Sequence, residues 1–122
     1  MNRDTLTEKI IGAAIEVHRI LGPGLLESIY EEALCHELSQ QGIHYEKQVP
    51  MEIAYKGHII QGQRIDLLVE KEVIVEIKAL QKLPEVATAQ VLSYLKASGL
   101  NRALLINFGE KRLVDGVSPL PQ

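Results

Sequence analysis

Three ionisable side chains interrupt two apolar stretches near the middle of the chain. Asp66 lies in the first stretch, 65–69. Glu76 lies in the second stretch, 73–77, and Lys78 follows it directly. Ionisable groups in apolar strands are unfavourable unless they are partnered or functional. The two carboxylates and the ammonium are therefore the first candidates for chemistry.

The spacing of the two acids fits a β-hairpin. The segment 70–72 is polar, and a turn centred on Lys71 sets Asp66 opposite Glu76, because positions equidistant from the turn face each other. Cross-strand Cβ atoms lie about 5 Å apart, so both carboxylates can reach one cation. The period of two places Lys78 on the same face as Glu76.

This group predicts a divalent-metal site. Oxygen ligands suit magnesium or manganese, whereas zinc would be expected to recruit histidine or cysteine, and neither occurs in 65–78. Such an ion polarises a phosphodiester oxygen and activates a bound water, while Lys78 orients that water or steadies charge in the transition state. The predicted reaction is phosphodiester hydrolysis. The alternative is a salt bridge between Lys78 and Asp66 or Glu76, with no metal.

Apolar periodicity predicts the elements that position these residues. A three- and four-residue spacing predicts a helix over 5–21, and a second apolar stripe from Leu26 to Leu38 predicts a helix that stops at Gly42. The second stripe includes Ile29. Alternation from Tyr45 predicts a strand that turns near Lys56 and Gly57, before the two central strands.

A third helix and a last strand complete the pattern. The helix begins near Pro84, directs Val91, Leu92 and Leu95 inward and ends near Gly99. A buried strand over 103–108 then runs parallel to the strand before the helix, through a right-handed crossover. A short extended piece around Leu113 and Val114 precedes an irregular tail. The order is helix, helix, three strands, helix and strand, which predicts an α/β fold with a central mixed sheet flanked by helices.

The composition predicts one globular domain over residues 1–122. Of these residues 46% are hydrophobic and 24% are charged. The hydrophobic residues suffice for one core, and the chain is too short for two ordinary domains. Charges recur through residues 1–20, which argues against a secretory signal or a spanning helix and predicts a cytoplasmic protein with no membrane partner. A net charge of -3 gives no support to broad attraction to nucleic acid, but a bound divalent ion reverses the local sign.

Two sequence patterns resemble a known group of proteins. Asp66 followed by Glu76-Ile-Lys78 resembles the PD-(D/E)XK nuclease superfamily, which implies a restriction-endonuclease-like core, metal-binding acids and a lysine that assists the attacking water. The run Gly24-Leu-Leu-Glu27-Ser-Ile-Tyr30 resembles the signature of the small GxxExxY protein family, and this resemblance covers nearly the whole chain.

The resemblance also implies further site residues. Glu27 matches the helical acid that completes the metal site in the superfamily; the alternative is that it faces water. Gln90 and Tyr94 resemble the QxxxY element of RecB-like relatives, which implies contact with a substrate phosphate or positioning of the lysine. The alternative for this pair is a purely structural role.

Three hypotheses follow from these patterns. The first is a nuclease, dependent on Mg²⁺ or Mn²⁺, that hydrolyses DNA or RNA. The second is a catalytically inactive nuclease-fold module that binds nucleic acid or a protein partner. The third is a homo-oligomeric scaffold, because a small sheet leaves edges that need covering.

Overall fold

Two helices form the first third of the molecule, as the apolar spacing predicts. The computed structural model describes residues 4–121, so the first three residues and the last residue of the predicted domain lie outside the described residues. Helix α1 spans Thr5–Leu21 and helix α2 spans Glu27–Gln40. No helix in the described range is long and apolar enough to cross a membrane.

Three antiparallel strands follow the helices. β1 spans Tyr45–Tyr55, β2 spans His58–Val69 and β3 spans Val73–Lys78. The connection between β1 and β2 is the predicted pair Lys56 and Gly57. Both have positive φ, as two-residue hairpin turns of this kind require.

The register of β2 against β3 confirms the turn predicted from the sequence. Lys71 lies at the centre of the turn, with a φ of 56°. The paired residues are equidistant from it: Leu67 with Val75, Leu68 with Ile74, and Val69 with Val73. The hairpin is therefore built so that Asp66 and Glu76 come next along the two strands.

A crossover helix connects β3 to the next strand. Helix α3 spans Glu85–Ser98 and ends at Gly99, which adopts the left-handed conformation that suits glycine. Strand β4 spans Arg102–Asn107 and runs parallel to β3, with Lys78 opposite Asn107. The predicted parallel connection is confirmed.

The end of the chain differs from the prediction. The extended piece expected around Leu113 and Val114 is a 3₁₀ turn, Leu113–Gly116. The tail expected to be irregular contains strand β5, Val117–Leu120, antiparallel to β4. Pro119 lacks an N–H donor, but β5 lies at the edge of the sheet, where one side of the strand needs no partner.

The sheet separates two apolar cores. Its strands lie in the order β1-β2-β3-β4-β5. One face packs against α1 and α2 and forms what we call the helix-pair core. The opposite face packs against α3 and forms the α3 core. The predicted mixed α/β sheet with flanking helices is confirmed.

The buried faces of two helices are narrower than predicted. Leu26 and Ile29 were expected to be inward, but their exposed fractions are 73% and 45%. Helix α2 instead buries a face centred on Leu34. On α3, Leu92 is 41% exposed, because the helix turns Tyr94 toward the sheet.

Candidate active site

The two acids lie where β2 and β3 separate. The backbone pairs of this hairpin run from the turn as far as Leu67 and Val75. At the next position the Glu76 carboxylate replaces a backbone carbonyl as acceptor: its Oε1 accepts a 2.8 Å hydrogen bond from the Asp66 N–H. The Asp66 Oδ2 in turn accepts a 2.8 Å bond from the Ile77 N–H. Two carboxylates thus occupy the fork between diverging strands.

A bend in the hairpin formed by β1 and β2, which we call the outer hairpin, places Asp66 between the two cores. Ile65 packs in the α3 core, whereas Leu67 packs in the helix-pair core, so β2 changes sides at Asp66. Across from Asp66, Gln48 lies between residues paired with Leu67 and Ile65, and it has a φ of 52°. A left-handed residue within a strand interrupts its regular alternation. The bend is therefore a built-in feature of the hairpin.

Lys78 lies on the same side of the sheet as Glu76. Val75 and Ile77 face the helix-pair core and Ile74 faces the α3 core, so strand alternation directs Glu76 and Lys78 toward α3. Lys78 is half-buried. Among residues 4–121, it forms no ion pair within 4.0 Å of either carboxylate. The closed salt bridge that was the alternative to a metal site is not observed.

The electrostatics of the acid pair favour a proton or a cation. Glu76 is only 3% exposed. Burial raises its pKa, and the charge of Asp66 raises it further, to about 8. The Asp66 N–H bond and the Lys78 charge oppose the shift without cancelling it. Without a cation, the Glu76 carboxyl is therefore mostly protonated at neutral pH.

Helix α2 carries two acids, one exposed and one half-buried. Glu27, the helical acid implied by the resemblance, is exposed at the first position of α2. Glu31, one turn later, is half-buried and was not singled out from the sequence. Gln48 donates from Nε2 to both Glu31 oxygens, at 3.0 and 3.3 Å. Burial raises the pKa of Glu31, and the charges of Asp66 and Glu27 raise it further. The hydrogen bond from Gln48 lowers it.

Helix α3 contributes Tyr94 to the surroundings of the acid pair, and it also carries Gln90 one turn earlier. The Tyr94 side chain is buried and its O–H donates to Oε1 of Gln63, at 2.9 Å. Burial raises the Tyr94 pKa, and the charges of Glu76 and Asp66 raise it further, which shows that the phenol lies in their field. Gln90 is half-buried, and its side chain makes no hydrogen bond to the described residues. Gln63 is a second residue that the sequence did not single out.

Almost the whole chain matches a known protein family. The family model of the PD-(D/E)XK nuclease superfamily matches residues 4–118. The chain belongs to the PD-(D/E)XK nuclease superfamily. No curated protein and no solved structure matches it. The five-stranded mixed sheet with helices on both faces is consistent with the restriction-endonuclease-like fold of this superfamily. The finer resemblance to the GxxExxY family stays a prediction.

The donors of this PD-(D/E)XK chain fit a hard divalent cation. Asp66 and Glu76 each use one oxygen to accept a backbone N–H, which orients the carboxylates, and the two groups lie close enough to share a side-chain hydrogen bond. Within residues 4–121, no group of three or more histidine, cysteine or acidic side chains is arranged to hold a metal alone. Magnesium is commonly held by one or two carboxylates together with water and substrate phosphates, so two carboxylates suffice.

Proposed function

We propose that the protein is a nuclease, dependent on Mg²⁺ or Mn²⁺, that hydrolyses phosphodiester bonds in DNA or RNA. The observation that carries the proposal is the pair of carboxylates at the fork between β2 and β3, Glu76 buried and Asp66 half-buried, with Lys78 on the same side of the sheet as Glu76. Membership of a nuclease superfamily supports the reaction class. An arrangement that served only the sheet would be expected to close a salt bridge, and this one does not.

Each residue has a distinct role in this proposal. Asp66 and Glu76 would hold the cation. The two acids of α2 add negative charge beside them: Glu31, in the field of Asp66, acts more strongly than the exposed Glu27 that the resemblance implies. When bound, the cation supplies Lewis acidity and lowers the pKa of a coordinated water. Lys78 donates hydrogen bonds to the attacking water or to the phosphate, where it offsets developing negative charge.

The charge of the site makes substrate binding dependent on the cation. Even with Glu76 protonated, the Asp66 carboxylate at the fork and the two acids on α2 repel a phosphodiester, and the net charge of -3 offers no general attraction. Asp66 and Glu76 would hold a divalent ion, whose charge would reverse the local sign and so favour a phosphate at the site. Nucleic acid is therefore expected to bind weakly to the metal-free protein and more tightly with the ion.

The test is metal-dependent cleavage by purified protein and an Asp66→Asn variant. Asparagine keeps an oxygen that can accept the Ile77 N–H, so the sheet is preserved while the negative charge is lost. Asp115→Asn, at an exposed aspartate in the 3₁₀ turn, is the matched control. We expect labelled DNA or RNA to be cleaved with Mg²⁺ or Mn²⁺ by the wild type and the control, and not by Asp66→Asn.

Two outcomes would contradict the proposal. Cleavage that survives in folded Asp66→Asn would show that the acid pair is not the reaction centre. Binding of nucleic acid or a protein without cleavage under any metal condition would favour the inactive module that the sequence leaves open as the alternative.

A further inference from the structure

A hydrogen bond outside the acid pair fixes the orientation of an exposed amide. Tyr94 on α3 donates its O–H to the Oε1 of Gln63 on β2, at 2.9 Å. The two residues are far apart in sequence, and the bond bridges the helix and the outer hairpin. Tyr94 is 2% exposed, whereas Gln63 is exposed. A rigid buried group thus holds a side chain at the surface.

The backbone places this amide on the same side of the sheet as Glu76. Gln63 pairs with Met51 on β1, and cross-strand partners share a face. Met51 and Ile65 both pack in the α3 core, the side toward which Glu76 and Lys78 are directed. Along β2, Gln63 precedes Asp66 by three residues, which is about 10 Å of extended chain. The amide is therefore near the acids but not among them.

The bond from Tyr94 determines what Gln63 can offer a ligand. With Oε1 engaged, the part of the amide left to solvent is the Nε2 group, which carries two N–H donors. The described residues accept no hydrogen bond from it. These donors carry no charge, so they can bind an anion beside the cation site without forming a salt bridge with Asp66 or Glu76.

We propose that Gln63 is a substrate-contact residue that donates hydrogen bonds to a backbone phosphate of the nucleic acid, beside the phosphate under attack, and that Tyr94 is its positioning residue. This inference rests on the proposed function and names one further contact in the same site. The sequence resemblance implied a substrate role for Gln90 with Tyr94. In the structure, Tyr94 is hydrogen-bonded to Gln63.

A phosphate contact suits this amide better than reading of a base. Glutamine recognises adenine through a bidentate contact that uses its amide oxygen and its amide nitrogen together. In this protein the oxygen already accepts the Tyr94 O–H, so a donor-only contact is what remains. Phosphate oxygens are acceptors only, and contacts to them position the nucleic acid without reading its sequence.

The test measures binding in the absence of cleavage. Fluorescein-labelled DNA and RNA oligonucleotides are titrated in Mg²⁺ with the Lys78→Met protein, which keeps both cation ligands, and Kd is read from fluorescence anisotropy before cleavage proceeds. Adding Gln63→Ala to this parent should weaken binding about tenfold, as expected for loss of a hydrogen bond to a charged group. The loss should be similar for oligonucleotides of different sequence. Because Gln63 is neutral, the salt dependence of Kd should not change.

Two further variants separate a substrate contact from a structural role. Gln63→Glu keeps the side-chain shape and the oxygen for Tyr94 but replaces the donors with a negative charge, so it should weaken binding more than Gln63→Ala. Tyr94→Phe should weaken binding less, and it should add nothing once Gln63 is alanine. Gln61→Ala, at an exposed glutamine on the same strand, should leave Kd unchanged.

The failure of this inference is distinguishable from the failure of the proposed function. If the parent binds oligonucleotide and Gln63→Ala binds equally well, the contact does not exist although the site does. Equal effects of Tyr94→Phe in the presence and absence of Gln63 would also overturn the pairing. If neither cleavage by the wild type nor binding by the parent occurs, the proposed function fails, and this inference fails with it.

Discussion

Asn107 and Leu80 exchange two hydrogen bonds through the Asn107 side chain. Its Oδ1 accepts the Leu80 N–H and its Nδ2 donates to the Leu80 carbonyl, both at 2.9 Å. The same Oδ1 accepts the Gly109 N–H at 3.1 Å. Asn107 is fully buried and lies opposite Lys78 in the parallel register of β3 and β4. It therefore fixes the chain just after the strand that carries Glu76 and Lys78.

Asn107→Ala should destabilise the fold by about 2 to 4 kcal/mol, because it removes these bonds and leaves buried backbone groups without partners. Urea denaturation measures the change. Asn101→Ala, at an exposed position before β4, should change the free energy of unfolding by less than about 0.5 kcal/mol. Equal stability of the two variants would show that the Asn107 side chain does not hold this segment.

Two glycines should respond to alanine in opposite directions. A Cβ on Gly109 would overlap the backbone of Leu80, whereas a Cβ on Gly12 in α1 meets no atom within 4 Å. Gly109→Ala should therefore destabilise the protein by about 2 kcal/mol or more. Gly12→Ala should stabilise it by about 0.5 to 1 kcal/mol, because alanine favours a helix. Thermal and urea unfolding of both variants measure the direction of each change in stability. Unchanged stability of Gly109→Ala would contradict the close packing of Gly109 against the Leu80 backbone.

The metal-free protein should lose stability as the pH rises toward 8. The Glu76 pKa is raised from 4.5 to about 8, so the folded state binds more protons than the unfolded state between these values. The free energy of unfolding contributed by this group therefore falls with increasing pH, by at most about 1.4 kcal/mol per pH unit. Glu76→Gln should flatten this part of the profile.

Added Mg²⁺ should stabilise the wild type more above pH 8 than at pH 6, because the proton and the ion compete for the same carboxylates. Urea denaturation across the pH range, with and without Mg²⁺, measures both effects. If the free energy of unfolding depends on pH in the same way in the wild type and in Glu76→Gln, the buried Glu76 carboxyl does not hold a proton at neutral pH.

Lys78→Met should impair catalysis without weakening metal binding. Methionine keeps the apolar stem but removes the ammonium, so kcat should fall about 100-fold through lost stabilisation of developing charge. Affinity for Mn²⁺, measured by calorimetry, should hold or improve, because a nearby positive charge is removed. Lys82→Met, at an exposed lysine before α3, is the control. A parallel loss of Mn²⁺ affinity in Lys78→Met would instead indicate general damage to the site.

The two acids of α2 should affect the cation unequally. The Glu31 carboxylate is half-buried, held by Gln48 and within the field of Asp66, whereas Glu27 is exposed to water. Screening by water weakens long-range charge effects, so Glu31→Gln should lower Mn²⁺ affinity more than Glu27→Gln. Calorimetric titration of the two glutamine variants gives the order. The reverse order would make Glu27 the dominant helical acid.

Local signals allowed much of the fold to be predicted. Helix α1 and the β2–β3 register follow from apolar spacing and from a polar turn centred on Lys71, which are properties of adjacent residues. The register alone places Asp66 and Glu76 next to each other at the end of the hairpin. Strand β5 was missed because Pro119, with Gly116 and Pro121 at its ends, masks an edge strand that exists through its pairing with β4.

The rest of the site depends on contacts between distant segments. Gln48 meets Glu31 across 17 residues, and Tyr94 meets Gln63 across 31. Neither pairing has a periodic signature, because each depends on how the outer hairpin bends against the helices. The left-handed Gln48 that accompanies the bend is also invisible from residue type, since glutamine has no preference for positive φ.

The strands lie across the sheet in the same order in which they occur along the chain. No strand has to be inserted between two others that are already joined, so the sheet can grow outward from its first hairpin by adding one neighbour at a time. The two acids at the fork can therefore come together as soon as the third strand docks, before the crossover helix and the last two strands have been placed.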